Sequence, residues 1–207
     1  MASPRNDNPL LSSTPGEIDG VVFGRTTLQA VAGTVLDIPA DAVVCPANRR
    51  GVMGVGVAGA VRLAGGVEIE REAMAAAPLA VGTAIATGSG KLAARGVKTI
   101  IHAVVADALG APTQPEIVRR ATGEALRLAD RHRARILVLP PLGAGLGPGR
   151  LSTDAVAALT IEETLAHLRR FTSRLERIVL VARSDEEADG LRALLREARD
   201  FWWSIKP

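Results

Sequence analysis

The sequence predicts an α/β fold, a mostly parallel sheet with helices on both faces. Two observations carry this. Short apolar runs alternate with helix-like stretches over nearly the whole chain, which is the pattern of repeated strand-helix-strand units. Two glycine-rich turns, Gly51-Val-Met-Gly-Val-Gly56 and Gly143-Ala-Gly-Leu-Gly147, each follow such a run and precede a helix-like stretch. Both turns therefore fall at the carboxyl ends of strands. In a parallel sheet those ends share one edge, where ligands sit between strand ends and helix amino termini. Glycine there lets backbone N–H groups turn toward an anion with no Cβ in the way.

The elements follow in order. Residues 1–19 are rich in Pro, Ser, Asn and Asp and read as a disordered extension, with the compact domain spanning 20–199. Strands are expected over Thr26 to Val31 and over Ala42-Val-Val-Cys-Pro46, the latter buried. Helices follow over Val57 to Ala64 and Val67 to Ala76, then a strand over Gly82 to Thr87 and a longer one over Thr99 to Val105 containing His102. Thr113, Pro115 and Glu116 have the spacing of a capping box for a helix to about Arg133, whose Ile117, Val118, Ala121, Ala125, Leu128 and Ala129 form an inward stripe. After the strand Ile136-Leu-Val-Leu-Pro140, Ser152 opens a helix to about Arg170. A strand over Arg177 to Ala182 comes next, and Ser184 with Glu187 forms a second capping box for a helix to about Arg199.

Composition narrows the class. The 207 residues are 47% hydrophobic, enough for one core, and net charge is +3, too small by itself to call for nucleic acid. Cys45 is the only cysteine, so no intramolecular disulfide can form, and a reducing, cytoplasmic setting is expected. The polar amino terminus lacks the apolar core of a signal peptide, and no membrane span is expected.

At four places the chain resembles the macrodomain family, the ADP-ribose-binding α/β/α module. Asp41-Ala-Val-Val-Cys-Pro-Ala-Asn48 is similar to the family's strand ending in asparagine, and Gly54-Val-Gly-Val-Ala-Gly-Ala-Val61 to its glycine turn entering a helix. Ile100-Ile-His-Ala-Val104 resembles its histidine-bearing strand, and Leu139-Pro-Pro-Leu-Gly-Ala-Gly-Leu-Gly147 its second phosphate loop. The resemblance spans about residues 25 to 198 and implies a three-layer α/β/α macrodomain with a mixed sheet of six or seven strands. It implies ADP-ribose or a close derivative as ligand. Asn48 would meet the distal ribose. The N–H groups of Val55, Gly56 and Val57, after Gly54, and of Ala144, Gly145 and Leu146, between Gly143 and Gly147, would hold the pyrophosphate. Thr34 and Val35 would lie at the adenine end, and Arg183 could stack there through its guanidinium plane.

The departures from the family's pattern bear on chemistry. Many relatives carry aspartate where Thr34 follows Gly33, and a neutral hydroxyl makes a weaker acceptor for the adenine amino group. One hydrolase branch has an aspartate where Ala58 stands. Another uses a lysine on the histidine-bearing strand, yet no lysine lies between Lys98 and Lys206. Glu68, Glu70 and Glu72, the nearest candidates for the paired glutamates of a third branch, read as a solvated helix face. No catalytic residue, metal or cofactor is assigned. Hydrolysis of an ADP-ribose ester, O-acetyl-ADP-ribose or ADP-ribose 1″-phosphate stays open, as does an interaction module with a degenerate pocket. His102 reads as structural and Cys45 as a small buried hydrophobe. Residues 200–207 hold the cluster Phe201-Trp202-Trp203, which either docks on its own domain, packs on a second copy or reaches the ligand cleft. Arg119, Arg120, Arg127, Arg131, Arg133 and Arg135, along one helix and its exit, read first as a solvated helix face and second as a nucleic-acid or poly-ADP-ribose surface.

Overall fold

A computed structural model describes residues 20–144 and 150–202. The expected extension over 1–19, the loop residues Gly145, Leu146 and Gly147, and Trp203 lie outside the described residues. The strands are β1 (Val21–Phe23), β2 (Thr26–Ala32), β3 (Ala42–Asn48), β4 (Ala84–Thr87), β5 (Thr99–Ala106), β6 (Ile136–Leu139) and β7 (Arg177–Ala182). The helices are α1 (Gly56–Gly65), α2 (Val67–Ala75), α3 (Pro115–Arg131), α4 (Thr153–Arg170) and α5 (Asp185–Trp202).

The strands form one seven-stranded sheet in the order β1-β2-β7-β6-β3-β5-β4. The pairs from β2 through β5 are parallel, and β1 and β4 close the two edges antiparallel. This is the mostly parallel sheet that the alternation of strands and helices predicts, in the mixed, seven-stranded form that the resemblance implies. Side chains alternate between two apolar layers. Ile178, Leu180 and Ala182 of β7 pack with α3, α4 and α5, while Val179 and Val181 pack with Ala58 and Val61 of α1 and Ile69 of α2. Central strands are therefore buried on both faces: in β5, seven consecutive residues from Thr99 are buried, all apolar but Thr99 and His102. No helix among the described residues is long and apolar enough to cross a membrane.

Several expectations are corrected by tertiary contacts. The capping box at Thr113 does not form, because α3 starts one residue later: Gln114 is its N-cap, Pro115 opens it, and Thr113 is buried. Ser152 does cap α4, accepting from the Ala155 N–H at 3.2 Å. At α5 half a box forms. Ser184 Oγ accepts from the Glu187 N–H at 3.2 Å, but the Glu187 carboxylate accepts from the Arg183 N–H at 2.9 Å. α5 continues past Arg199 through Trp202, whose ring meets Phe23 edge-on at 5.4 Å and lies under the Arg169 guanidinium at 4.5 Å. That part of the aromatic cluster docks on its own domain, while Phe201 is exposed.

Asp130 ties α3 to its surroundings. Its carboxylate accepts from His167 Nε2 at 2.8 Å, from Ser173 Oγ at 2.9 Å and from the Arg174 N–H at 2.7 Å. Burial pushes this carboxyl up, but bonds from His167, the Arg174 N–H and Ser173 more than offset it, leaving its pKa below the ordinary value. A depressed folded-state pKa gives stability that is present above about pH 4 and is lost as pH falls through the folded value. Asp130→Asn is accordingly expected to cost about 2 kcal/mol at neutral pH, with the gap from the unmutated protein closing below about pH 4; thermal midpoints measured across pH check both.

Candidate functional site

Parallel pairing brings the carboxyl ends of β2, β3, β5, β6 and β7 to one edge, and the crevice there has a volume of about 480 Å³, within the range of small-molecule sites. Its walls come from Gly33 to Leu36 after β2, the first glycine turn after β3, Ala106 and the stretch Ala108 to Ala111 at the end of β5, Pro140, Pro141, Gly143 and Ala144 after β6, and Val181 to Arg183 at β7. Of the expected site residues, Thr34, Val35, Asn48, Val55, Gly56, Val57, Gly143, Ala144 and Arg183 all line it. Gly54 lies in the same turn, where a Cβ would come 3.0 Å from Leu109 Cδ2.

The first turn is built from its ends inward. Asn48 is buried and uses both polar ends of its amide: Oδ1 accepts from the Arg50 N–H at 3.0 Å, and Nδ2 donates to the Val52 carbonyl at 2.8 Å. It is an Asx-type turn former that also faces the crevice, with one amide hydrogen and one oxygen lone pair left for a ligand. Farther on, the Met53 N–H donates to Glu70 Oε1 at 2.8 Å, and the other Glu70 oxygen pairs with Arg62 at 2.6 Å. Glu72 accepts from the Gly88 N–H at 2.8 Å. Glu70, half-buried, is a loop anchor rather than part of the solvated face expected of it, whereas Glu68 and Glu72 stay exposed as expected, Glu72 while holding the Gly88 N–H.

What the anchored turn presents is backbone. The N–H groups of Val55, Gly56 and Val57 have no acceptor among the described residues, and they sit where α1 begins with no acidic residue in its first turn and Gly56 at φ +60°. Free N–H groups at a helix amino terminus make an anion site. The only ionisable side chains lining the crevice among the described residues are Arg150 and Arg183. Arg150, with Leu109 and Gly110, was not singled out by the sequence; it donates to the Gly110 carbonyl and so braces the loop after β5. The signal available was position alone, since that loop leaves the same strand edge. Val55 and Leu109 stay 63% and 49% exposed at the mouth, apolar surface available to a ligand.

Arg183 is solvent-exposed but not free to swing. Its guanidinium donates to Glu187 at 2.7 Å and to Thr153 Oγ1 at 2.7 Å, and the Arg183 side-chain and backbone bonds to Glu187 hold that carboxyl below its ordinary value. Its plane is thus fixed at the crevice wall. At the other end Thr34 Oγ1 donates to Asp37 Oδ2 at 2.9 Å and accepts from the Leu36 N–H at 3.2 Å, so its hydroxyl is oriented with one lone pair to spare. A carboxylate thus stands behind the hydroxyl, three residues later in sequence. The second turn has Gly143 at φ +80°, where a Cβ would fall 2.5 Å from Thr113 Cγ2.

His102 and Cys45 lie outside the crevice lining. Both are fully buried; burial pushes the imidazole down to about 4 and the thiol up to about 12. The Thr87 hydroxyl donates to the Gly88 carbonyl at 3.1 Å, so His102 Nε2, 2.9 Å away, is the donor to Thr87 Oγ1, and the ring is a neutral structural group. No group of three or more His, Cys, Asp or Glu among the described residues could hold a metal ion.

With this geometry, the chain can be set beside known proteins. The sequence model of the Macro domain family matches residues 44–159. An uncharacterized protein of Aquifex aeolicus is 38% identical over 169 residues, 81% of this chain and 97% of that one. Among solved structures, an Oceanobacillus iheyensis macrodomain variant with ADPR superposes with a TM-score of 0.73 at 21% identity, covering 86% of this chain and 96% of its own. A Trypanosoma brucei macrodomain in complex with ADP-ribose gives 0.70 at 21% identity, covering 81% and 68%.

The tight seat of the first turn generates a test. A Cβ on Gly51, which has φ +71°, would lie 2.7 Å from the Ala73 carbonyl carbon. Gly51→Ala is expected to destabilise the protein by about 2 kcal/mol, read as a lower urea midpoint with an unchanged slope.

Proposed function

The chain belongs to the macrodomain family, and from that premise we propose that its crevice binds ADP-ribose or a close ADP-ribose derivative. The observation that carries this reading is the set of unclaimed N–H groups at Val55, Gly56 and Val57, facing a cavity whose described lining has two arginines and no carboxylate. A diphosphate placed there would accept from backbone donors without displacing any internal bond. Ala144 and the adjoining Gly145 and Leu146, the last two outside the described residues, would close on it from the second loop. The spare hydrogen and lone pair of Asn48 suit a ribose hydroxyl. At the far end the oriented Thr34 oxygen would accept from the adenine amino group, and the fixed guanidinium of Arg183 offers a flat face for the ring.

The same lining favours binding over bond cleavage. No imidazole, thiol, amine or carboxylate lines the crevice among the described residues, so a protein general base is not at hand. Hydrolysis of an ADP-ribose ester would have to rest on the substrate's own phosphate and a positioned water.

Calorimetric titration with ADP-ribose tests the reading, with Gly56→Asp as the informative variant. Nothing lies within 4 Å of a Cβ on Gly56, and aspartate tolerates the left-handed backbone better than most residues. The fold should therefore survive while a carboxylate enters the anion cradle. Expected is saturable heat at micromolar ligand for the unmutated protein and a loss of about 100-fold or more in the variant, on the order of 3 kcal/mol. No heat at millimolar ligand would sink the proposal.

A further inference from the structure

The amino-terminal edge of the sheet, opposite the crevice, carries a second concave surface. It is lined by Arg25 from the β1–β2 turn, Arg133 and Arg135 from the α3–β6 loop, and Thr172, Ser173, Arg174, Leu175 and Glu176 from the α4–β7 loop. Three segments far apart in sequence thus bring four arginines to one groove. The series from Arg119 to Arg135 is solvated as expected, with Arg119 paired to Glu162 and Arg127 to Glu124, but Arg133 and Arg135 lie beyond α3 and turn to this groove.

The carboxylates beside this groove are already engaged. Glu176 takes Arg135 through two hydrogen bonds of 2.7 Å, and Asp41 takes Lys98 at 2.7 Å together with the N–H groups of Arg135 and Ile136. Arg25, Arg133 and Arg174 have no ion pair among the described residues, and all three are exposed. Their backbones are fixed. The Thr27 N–H donates to the Glu176 carbonyl at 2.9 Å, the Glu176 N–H to the Arg135 carbonyl at 2.8 Å, and Thr26 Oγ1 to the Leu175 carbonyl at 2.6 Å, so the three loops form one platform.

Arg133 carries a second signal. It is the only non-glycine residue with positive φ among the described residues, at +56°. The Arg133 N–H donates to the Asp130 carbonyl and the Ala134 N–H to the Ala129 carbonyl, both at 3.0 Å, which is the bond pattern of a Schellman motif with Arg133 in its left-handed position. Glycine is the residue that fits there without strain. An arginine held at that point keeps its side chain at a cost to the backbone, as is common where a side chain contacts a ligand.

We infer that this groove binds the phosphodiester backbone of double-stranded nucleic acid, independently of the crevice. Guanidinium forks match phosphate oxygens in pairs. The lining holds no aromatic side chain on which an unpaired base could stack, which favours a duplex over a single strand. Its one large apolar residue, Leu175, is buried, which leaves nothing to enter a lipid surface. Contacts of this kind are insensitive to base sequence.

Fluorescence anisotropy with a short labelled duplex of arbitrary sequence, from about 50 to 200 mM salt, tests the inference on the unmutated protein, on Arg133→Gly and on the pair Arg25→Ala with Arg174→Ala. Three phosphate contacts predict a log–log salt slope of about −3. Arg133→Gly should reduce that slope by about 1 while raising Tm by about 2–4 °C as strain is relieved; the double variant should bind at least about 10-fold more weakly. The inference is overturned by no binding at about 50 mM salt, by slopes unchanged in every variant, or by displacement of the duplex with saturating ADP-ribose. Equal binding of a single strand, of polyglutamate or of anionic vesicles would overturn it as well.

Discussion

The crevice depends on the parallel pairing of β2, β7, β6, β3 and β5. Because these strands run the same way, each chain segment leaves the sheet at one edge, and each helix that follows begins there. Thr34, Asn48, the start of α1, Leu109 and Arg183 meet only because of this shared direction. The sheet in turn requires both faces to be covered, which explains why β5, apart from Thr99 and His102, and β7 after Arg177 are apolar and why small residues such as Ala58 and Ala182 occur where helices approach it.

That geometry also separates two electrostatic environments. At the carboxyl edge, helix amino termini and unclaimed N–H groups supply positive potential with few charged side chains. At the opposite edge the helices end, and their carbonyls are offset by arginines from three loops. A net charge of +3 averages over these two regions and conceals both. One edge is suited to a ligand desolvated in a cleft, the other to a partner that stays wet.

Much of this was legible in the sequence. β7 runs over Arg177–Ala182 as its apolar run indicates, and Ser152 caps α4. The two glycine turns and Asn48 identify the edge on which the crevice lies, because strand ends and glycines are local signals. What was not legible depends on partners distant in the chain. β1 has three residues, too few for any periodicity to register. Glu70 looks solvated until the Met53 N–H is known to lie within reach, and Thr113 matches a capping box by spacing although the helix starts one residue later. The arginine groove joins residues 25, 133 and 174, which no sequence window spans.

The place of β2 in the sheet has a consequence for how the site comes into being. Among the described residues its strand partners are β1, which precedes it, and β7, near the far end of the domain. During synthesis the first hairpin must wait, unpaired with the rest of the sheet, until β7 has emerged; α5 then seals it through the contact of Trp202 with Phe23. The chain entering the Gly33 to Leu36 wall is therefore held by a strand made late, while the first glycine turn is anchored by Asn48 and Glu70, made earlier. On the proposed reading, the residues that would hold the diphosphate at the first glycine turn come from segments made before β7, against which the chain entering the Gly33 to Leu36 wall is paired.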